Sequence, residues 1–225
     1  MDLPALALSL KLAAATTAAL LALGLPLGAW LAFSRSAWRG PVRALSTLPL
    51  VLPPTVLGFY VLLALGPAGP VGRLTHALGL GGLPFTFTGL LLASILYSLP
   101  FAVQPFAAAF SAVDPRLVDA ARCLGHGPVS TFFRVVLPLA APGVTTGLVL
   151  CFAHTLGEFG VVLMVGGNIP GATRTLSVAI YDDVQAMDFA AAGRTSLALT
   201  LFSFAVLLFV YGRARPAGGA RWLQP

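Results

Sequence analysis

Five stretches of this chain, residues 12–33, 48–65, 85–110, 135–156 and 189–211, are each apolar over nearly the whole length a membrane crossing demands. A helix needs about 20 predominantly apolar residues to cross the roughly 30 Å hydrocarbon core, and inside that core every backbone polar group must find a partner within the protein. An all-α integral membrane protein with five transmembrane helices is therefore expected. Composition agrees, since 58% of the 225 residues are hydrophobic and 9% charged, against about a quarter charged in soluble domains. A further apolar stretch, 160–165 with 175–180, is broken by Gly166-Gly167-Asn168-Ile169-Pro170-Gly171. It is too interrupted to count as a span, so a short sixth stays an open alternative. The first span has neither a basic region before it nor a small-residue cleavage site, and it is expected to remain in the mature chain.

The formal net charge of +6 does not point to nucleic acid, because the basic residues stand singly between apolar runs and form no basic stripe or recognition motif. They point to topology. Short cytoplasmic loops hold an excess of Lys and Arg, and arginines follow spans one, three and five: Arg35, Arg39 and Arg43; Arg116, Arg122 and Arg134; Arg213, Arg215 and Arg221. The opposite side has Lys11, Arg73, Arg174 and Arg194. The N-terminus is thus expected outside, with the segment around Asp119 in the cytoplasm. Cys123 and Cys151 lack metal-ligand spacing and do not form a disulfide framework.

Prolines 49, 53 and 54 in span two, 100 and 105 in span three, and 138 and 142 in span four each remove a backbone donor and favour kinks. Gly24-x-x-x-Gly28 and Gly143-x-x-x-Gly147 permit close helix approach, with packing their expected role.

The polar segment 114–138 interrupts the apolar spans. Asp114 suits an N-cap, Pro115 the first helical position and Gly125 the left-handed residue past a helix end, which predicts a short helix over 115–124. Gly127-Pro128 breaks the chain, and Ser130 is expected to cap the next helix. Leu117, Ala120, Ala121 and Leu124 fall on one face of the short helix by their spacing. Such a projection can enter a groove on a partner, although an ordinary interfacial helix has similar spacing.

The pattern Asp119-Ala120-Ala121, three residues, Gly125, nine residues, Val135-x-Leu137-Pro138 resembles the cytoplasmic loop by which permeases of ABC importers engage their ATPase subunits. Asp stands for the usual Glu and Val for the usual Ile. The resemblance implies that 114–138 is an ATPase-docking segment within a single permease domain over 1–225, of the type I importer fold. It also implies a second copy of the chain, two cytoplasmic ABC ATPase subunits and an external binding protein as partners. This chain has no Walker loop, which requires Gly-x-x-x-x-Gly-Lys-Ser/Thr; its single lysine is Lys11. No cofactor or metal is expected on it, and ATP and Mg belong to the ATPase. It is expected to be a transport subunit without enzymatic chemistry, in a bacterial or archaeal cytoplasmic membrane.

Leu156-Gly157-Glu158-Phe159-Gly160, Asn168-Ile169-Pro170-Gly171-Ala172-Thr173-Arg174-Thr175 and Leu48-Pro49-Leu50-Val51-Leu52-Pro53-Pro54 resemble the oxyanion branch of these permeases, above all the molybdate permeases. The resemblance covers most of the chain and implies a tetrahedral oxyanion as cargo, with tungstate or sulfate as alternatives. Arg174 with the amides of Gly171 and Ala172 can supply donors to such an anion near the outer mouth; pairing of Arg174 with Asp182 or Asp183 is the competing expectation. Glu158 is expected to gate or brace, with His154 one turn away, because an acid repels an anion. Pro53, Pro54, Thr55, Gln104 and Phe159 complete the candidate path. A secondary transporter driven by an ion gradient is the rival from another class, but no convincing internal repeat supports it.

Overall fold

The structure, a computed structural model, describes residues 2–213. The chain forms eleven α-helices among these residues: α1 Leu3–Phe33, α2 Arg39–Thr47, α3 Pro54–Leu65, α4 Pro70–Ala77, α5 Phe87–Ser111, α6 Pro115–Cys123, α7 Pro128–Thr131, α8 Leu137–Gly157, α9 Gly160–Gly166, α10 Leu176–Gln185 and α11 Phe189–Arg213. Five helical stretches are long and apolar enough to cross a membrane: Leu3–Phe33, Pro54–Ala77, Phe87–Ser111, Pro128–Gly157 and Phe189–Leu208. Arg215 and Arg221 lie outside the described residues.

The first span begins earlier than the apolar pattern predicts. Asp2 caps α1 by accepting a 3.0 Å hydrogen bond from the Ala5 amide, with proline in the first helical turn. At 31 residues the helix is about 46 Å long, longer than the hydrocarbon core it crosses. The second span differs in kind. Pro53 and Pro54 cannot donate to a helical ladder, so 48–65 is not one helix. A 3₁₀ turn at Leu48–Leu50 precedes a break, α3 starts at Pro54, and the chain breaks again between Leu65 and Pro70. The interrupted stretch after α8 is a pair of short helices, α9 and α10, joined by the Gly-Pro-Gly loop, and neither is long enough to span.

The central element is α5, packed against α1, α8 and α9. The two glycine pairs make this possible. An added Cβ at Gly28 would lie 2.8 Å from the Phe106 Cβ, and one at Gly147 would lie 2.9 Å from the Phe106 ring. Phe106 is fully buried, so α1 and α8 clasp one side chain of α5 through their small-residue stripes, with van der Waals contact replacing the hydrophobic effect that lipid cannot supply between helices. The short α9 buries Val161 and Val165 between α3 and α5 and Val162 against α1, α5 and α10. Gly160 lets it approach α3, because a Cβ there would lie 2.7 Å from the Pro54 Cβ.

Candidate functional site

Local chemistry delimits the projecting helix α6 at both ends. The Asp114 carboxylate accepts from the Arg116 amide at 2.9 Å, and Pro115 occupies the first turn, where a missing N–H is harmless. At the other end Gly125 adopts φ +83°; its amide donates to the Arg122 carbonyl at 2.9 Å and the His126 amide to the Ala121 carbonyl at 3.1 Å. These two bonds form a Schellman motif, which closes the last carbonyls of a helix.

The four residues expected on one face do not share an environment. Leu117 is 46% and Leu124 80% exposed, whereas Ala121 is 5% exposed. Ala120 lies with the exposed pair, while Ala121 belongs to the face that seats α6 on the protein. Three- and four-residue spacing places all four within a broad arc, and Ala121 falls on its inner edge. Asp119 pairs with Arg122 at 3.4 Å, with both side chains more than 60% exposed, a geometry that contributes little to stability.

Ser130 is not the cap of the next helix. Gly127 occupies that position and Pro128 follows it in the first turn, while the Ser130 hydroxyl meets His126 Nδ1 at 3.2 Å. From α7 the chain widens into a π turn at Phe132–Val136, in which the Leu137 amide donates to the Phe132 carbonyl. Pro138 supplies the cause: without an N–H it cannot donate to Arg134, and the turn before it opens by one residue. Val135 and Leu137 are half-buried and Pro138 is exposed, so the second half of the docking pattern forms the root of α8 and the first half its exposed tip.

A polar cluster lies at the other end of α8. Glu158 caps that helix and is 4% exposed. Its Oε2 accepts a 3.0 Å hydrogen bond from the Ser94 hydroxyl of α5, and its Oε1 is buried without a hydrogen-bond partner. One turn along α5, Ser98 meets His154 Nδ1 at 3.0 Å and Thr155 Oγ1 at 2.9 Å. His154 stacks on Phe101 with ring centroids 3.8 Å apart. Glu158 and His154 therefore bond to separate serines and not to each other, because both project from α8 toward α5.

This cluster borders a cavity of about 540 Å³ whose wall includes Pro54, Thr55, Tyr97, His154, Glu158 and Phe159. Four path candidates, Pro54, Thr55, Glu158 and Phe159, thus converge on one space. Pro53, Gln104 and Arg174 do not line it. Gln104 Nε2 donates to Thr47 Oγ1 at 2.6 Å, tying α5 to α2. Arg174 lies 3.1 Å from Asp182 and 3.6 Å from Asp2, and the Ala172 amide is taken by the Ile169 carbonyl at 3.1 Å. In this structure Arg174 braces α10 against the start of α1. Its competing pairing, with Asp182, is the one observed.

Ser94, Tyr97 and Ser98 are residues that the sequence reading missed. Two serines four apart beside a tyrosine, in a span otherwise nearly free of polar groups, were the available signal. Among the described residues no three His, Cys, Asp or Glu side chains converge as a metal-ligand set.

Comparison with known proteins assigns the architecture. The sequence profile of the family described as "Binding-protein-dependent transport system inner membrane component" matches residues 24–215. The molybdenum transport system permease protein ModB of Azotobacter vinelandii is 55% identical over 97% of this chain and 96% of its own length. ModB of Mycobacterium tuberculosis is 40% identical over 95% of this chain and 80% of its own. In three dimensions the chain superposes with a TM-score of 0.77 on a chain of a bacterial alginate ABC transporter, solved in complex with its alginate pentasaccharide-bound periplasmic protein, at 18% identity and covering 95% of this chain and 78% of that one. An all-helical bundle with five apolar spans, a capped projecting helix and a profile match over most of its length make this multi-pass protein a member of the binding-protein-dependent transport system inner membrane component family.

Proposed function

We propose that this chain is the membrane-spanning permease subunit of an ATP-driven importer of molybdate. It works as two copies, with two cytoplasmic ABC ATPase subunits that bind ATP and Mg and an external oxyanion-binding protein, in a bacterial or archaeal cytoplasmic membrane. The observation that carries the reading is the 55% identity, over nearly the full length of both chains, to a molybdenum transport permease. The geometry of α6 supports the coupling role. Its tip exposes Leu117, Ala120 and Leu124, small and apolar groups suited to a groove on a partner, and its caps at both ends make it a rigid lever.

With the N-terminus outside, α6 faces the cytoplasm. Motion of α6 then passes through α7 and the π turn into α8, whose far end is bonded to α5 through Glu158 and Ser94. Displacement of α8 relative to α5 reshapes the cavity at Thr55, Tyr97 and His154, where hydroxyl and imidazole groups offer donors to a passing oxyanion. The chain itself positions a path and moves its walls.

Uptake of labelled molybdate into vesicles holding the assembled permease, ATPase and binding protein tests the reading, with tungstate and sulfate as competitors. ATP-dependent molybdate uptake that sulfate does not suppress is the expected result. Sulfate uptake would change the cargo, and uptake without ATP would overturn the coupling.

A further inference from the structure

Two cavities share Phe132 in their walls, one lined by arginines and the other apolar. The first, of about 860 Å³, lies beneath α6, where the ends of α1 and α5 meet the π turn. Arg35, Arg39 and Arg122 line it, and among the described residues Asp119 is the one acidic group in its wall. Asp119 is engaged by Arg122 at 3.4 Å, and among the described residues neither Arg35 nor Arg39 forms an ion pair. The Arg39 Nε is buried without a hydrogen-bond partner. A buried guanidinium donor left unmatched costs free energy that an anionic acceptor removes. The wall of the same cavity also has a buried apolar part that includes Phe110 and Val136.

The second cavity, of about 560 Å³, is an apolar groove between α1 and the π turn, bounded by Phe132 and Phe133. Its α1 side is formed by Ala18, Leu21, Ala22, Leu25, Pro26 and Ala29, one helical face by spacing. From Ala18 to Ala29 the groove runs about 16 Å, close to the depth of one leaflet of a roughly 30 Å core. Small residues on α1 recess it, and one turn past Ala29 on the same helix Ala32 and Phe33 line the arginine-lined cavity. An arginine-lined cavity and an apolar groove of acyl-chain length thus lie side by side, sharing a wall at Phe132.

We propose that these two neighbouring cavities together bind one anionic phospholipid, its phosphate held by Arg35 and Arg39 under α6 and one acyl chain lying along α1. Basic pockets between membrane helices select anionic headgroups in this way. Because Val118, Asp119 and Arg122 of α6 form part of the cavity wall, the headgroup also supports the base of the projecting helix. Assignment of the lipid to the cytoplasmic leaflet rests on the orientation proposed above; the binding itself does not.

Native mass spectrometry of the delipidated full-length chain tests the site, titrated in parallel with phosphatidylglycerol, phosphatidylcholine of the same acyl chains, and inorganic phosphate. The expected result is one retained phosphatidylglycerol per chain, bound roughly tenfold more tightly than phosphatidylcholine. The Arg35→Ala/Arg39→Ala variant is expected to weaken it roughly tenfold or more, and Arg73→Ala, in α4, to leave it unchanged. Ala22→Trp, which fills the groove, is expected to weaken lipid retention too. Equal retention of the two lipids by the wild-type chain would overturn the proposal without recourse to any variant. Displacement by inorganic phosphate would make it a free-anion site. Disulfide crosslinking of two Ala22→Cys chains to each other would make the groove a contact between copies.

Discussion

The Ser94 hydroxyl donates a 3.0 Å hydrogen bond to the Glu158 carboxylate, joining the first third of α5 to the end of α8 at a point where Glu158 is 4% exposed. The other carboxylate oxygen is buried without a partner, so among the described residues this is the one side-chain hydrogen bond that compensates the acid's burial. Removal of the hydroxyl in Ser94→Ala is expected to destabilise the protein by about 1–2 kcal/mol, read as a lower midpoint in thermal unfolding in detergent. Glu158→Gln, which keeps an acceptor without a charge, is expected to cost less than Ser94→Ala. The reverse order would show that the charge, and not the bond to Ser94, anchors α8.

What the sequence disclosed and what it hid follow from the range of the interactions. The boundaries of α6 were legible because Asp114, Pro115 and Gly125 act on amides and carbonyls within a few residues of themselves. The break in 48–65 was half legible: Pro53 and Pro54 signalled a disturbance, yet hydropathy alone joined the two sides. The Ser94–Glu158 bond spans 64 residues and depends on how α5 and α8 rotate against each other, which no local pattern encodes. For Arg174 local pattern offered two partners of opposite meaning, an anion or Asp182, and the pairing with Asp182 and Asp2 depends on the tertiary placement of α10 beside the start of α1.

The clasp on α5 makes a steric prediction. A Cβ at Gly143 would lie 2.5 Å from the Ala109 Cβ, a contact between two groups fixed to backbone, so relief requires α8 to move from α5. Gly143→Ala is expected to destabilise by about 1–3 kcal/mol. Gly40→Ala in α2, where an added Cβ meets nothing within 4 Å, is expected to be neutral or to stabilise by up to about 1 kcal/mol. Parallel unfolding curves in one detergent check both signs.

Arg174 separates a brace from a cargo contact. Its side chain is 25% exposed and that of Asp182 31%, so the pair retains partial solvent screening and Arg174→Ala is expected to cost no more than about 1 kcal/mol. Selectivity among molybdate, tungstate and sulfate is expected to be unchanged in competition uptake. A shift in the ratio of the three anions would place the guanidinium on the cargo path.

The docking helix offers a test in which stability and function part company. Leu124 is 80% exposed and follows α6 as its C-cap, so Leu124→Glu touches little of the folded chain and is expected to change stability by less than about 0.5 kcal/mol. At a partner groove the same carboxylate is buried unpaired, and ATP-dependent uptake is expected to fall tenfold or more. Gly125→Ala acts differently, since φ of +83° strains any residue with a Cβ by about 1–2 kcal/mol and loosens the Schellman closure that makes α6 rigid. Gly125→Asn, which tolerates the left-handed region, is expected to restore most of the uptake that Gly125→Ala loses. Wild-type uptake by Leu124→Glu would remove this face from the ATPase contact, whereas equal loss in the Ala and Asn variants would mean that the glycine is required for close approach to the partner and not for its backbone angle.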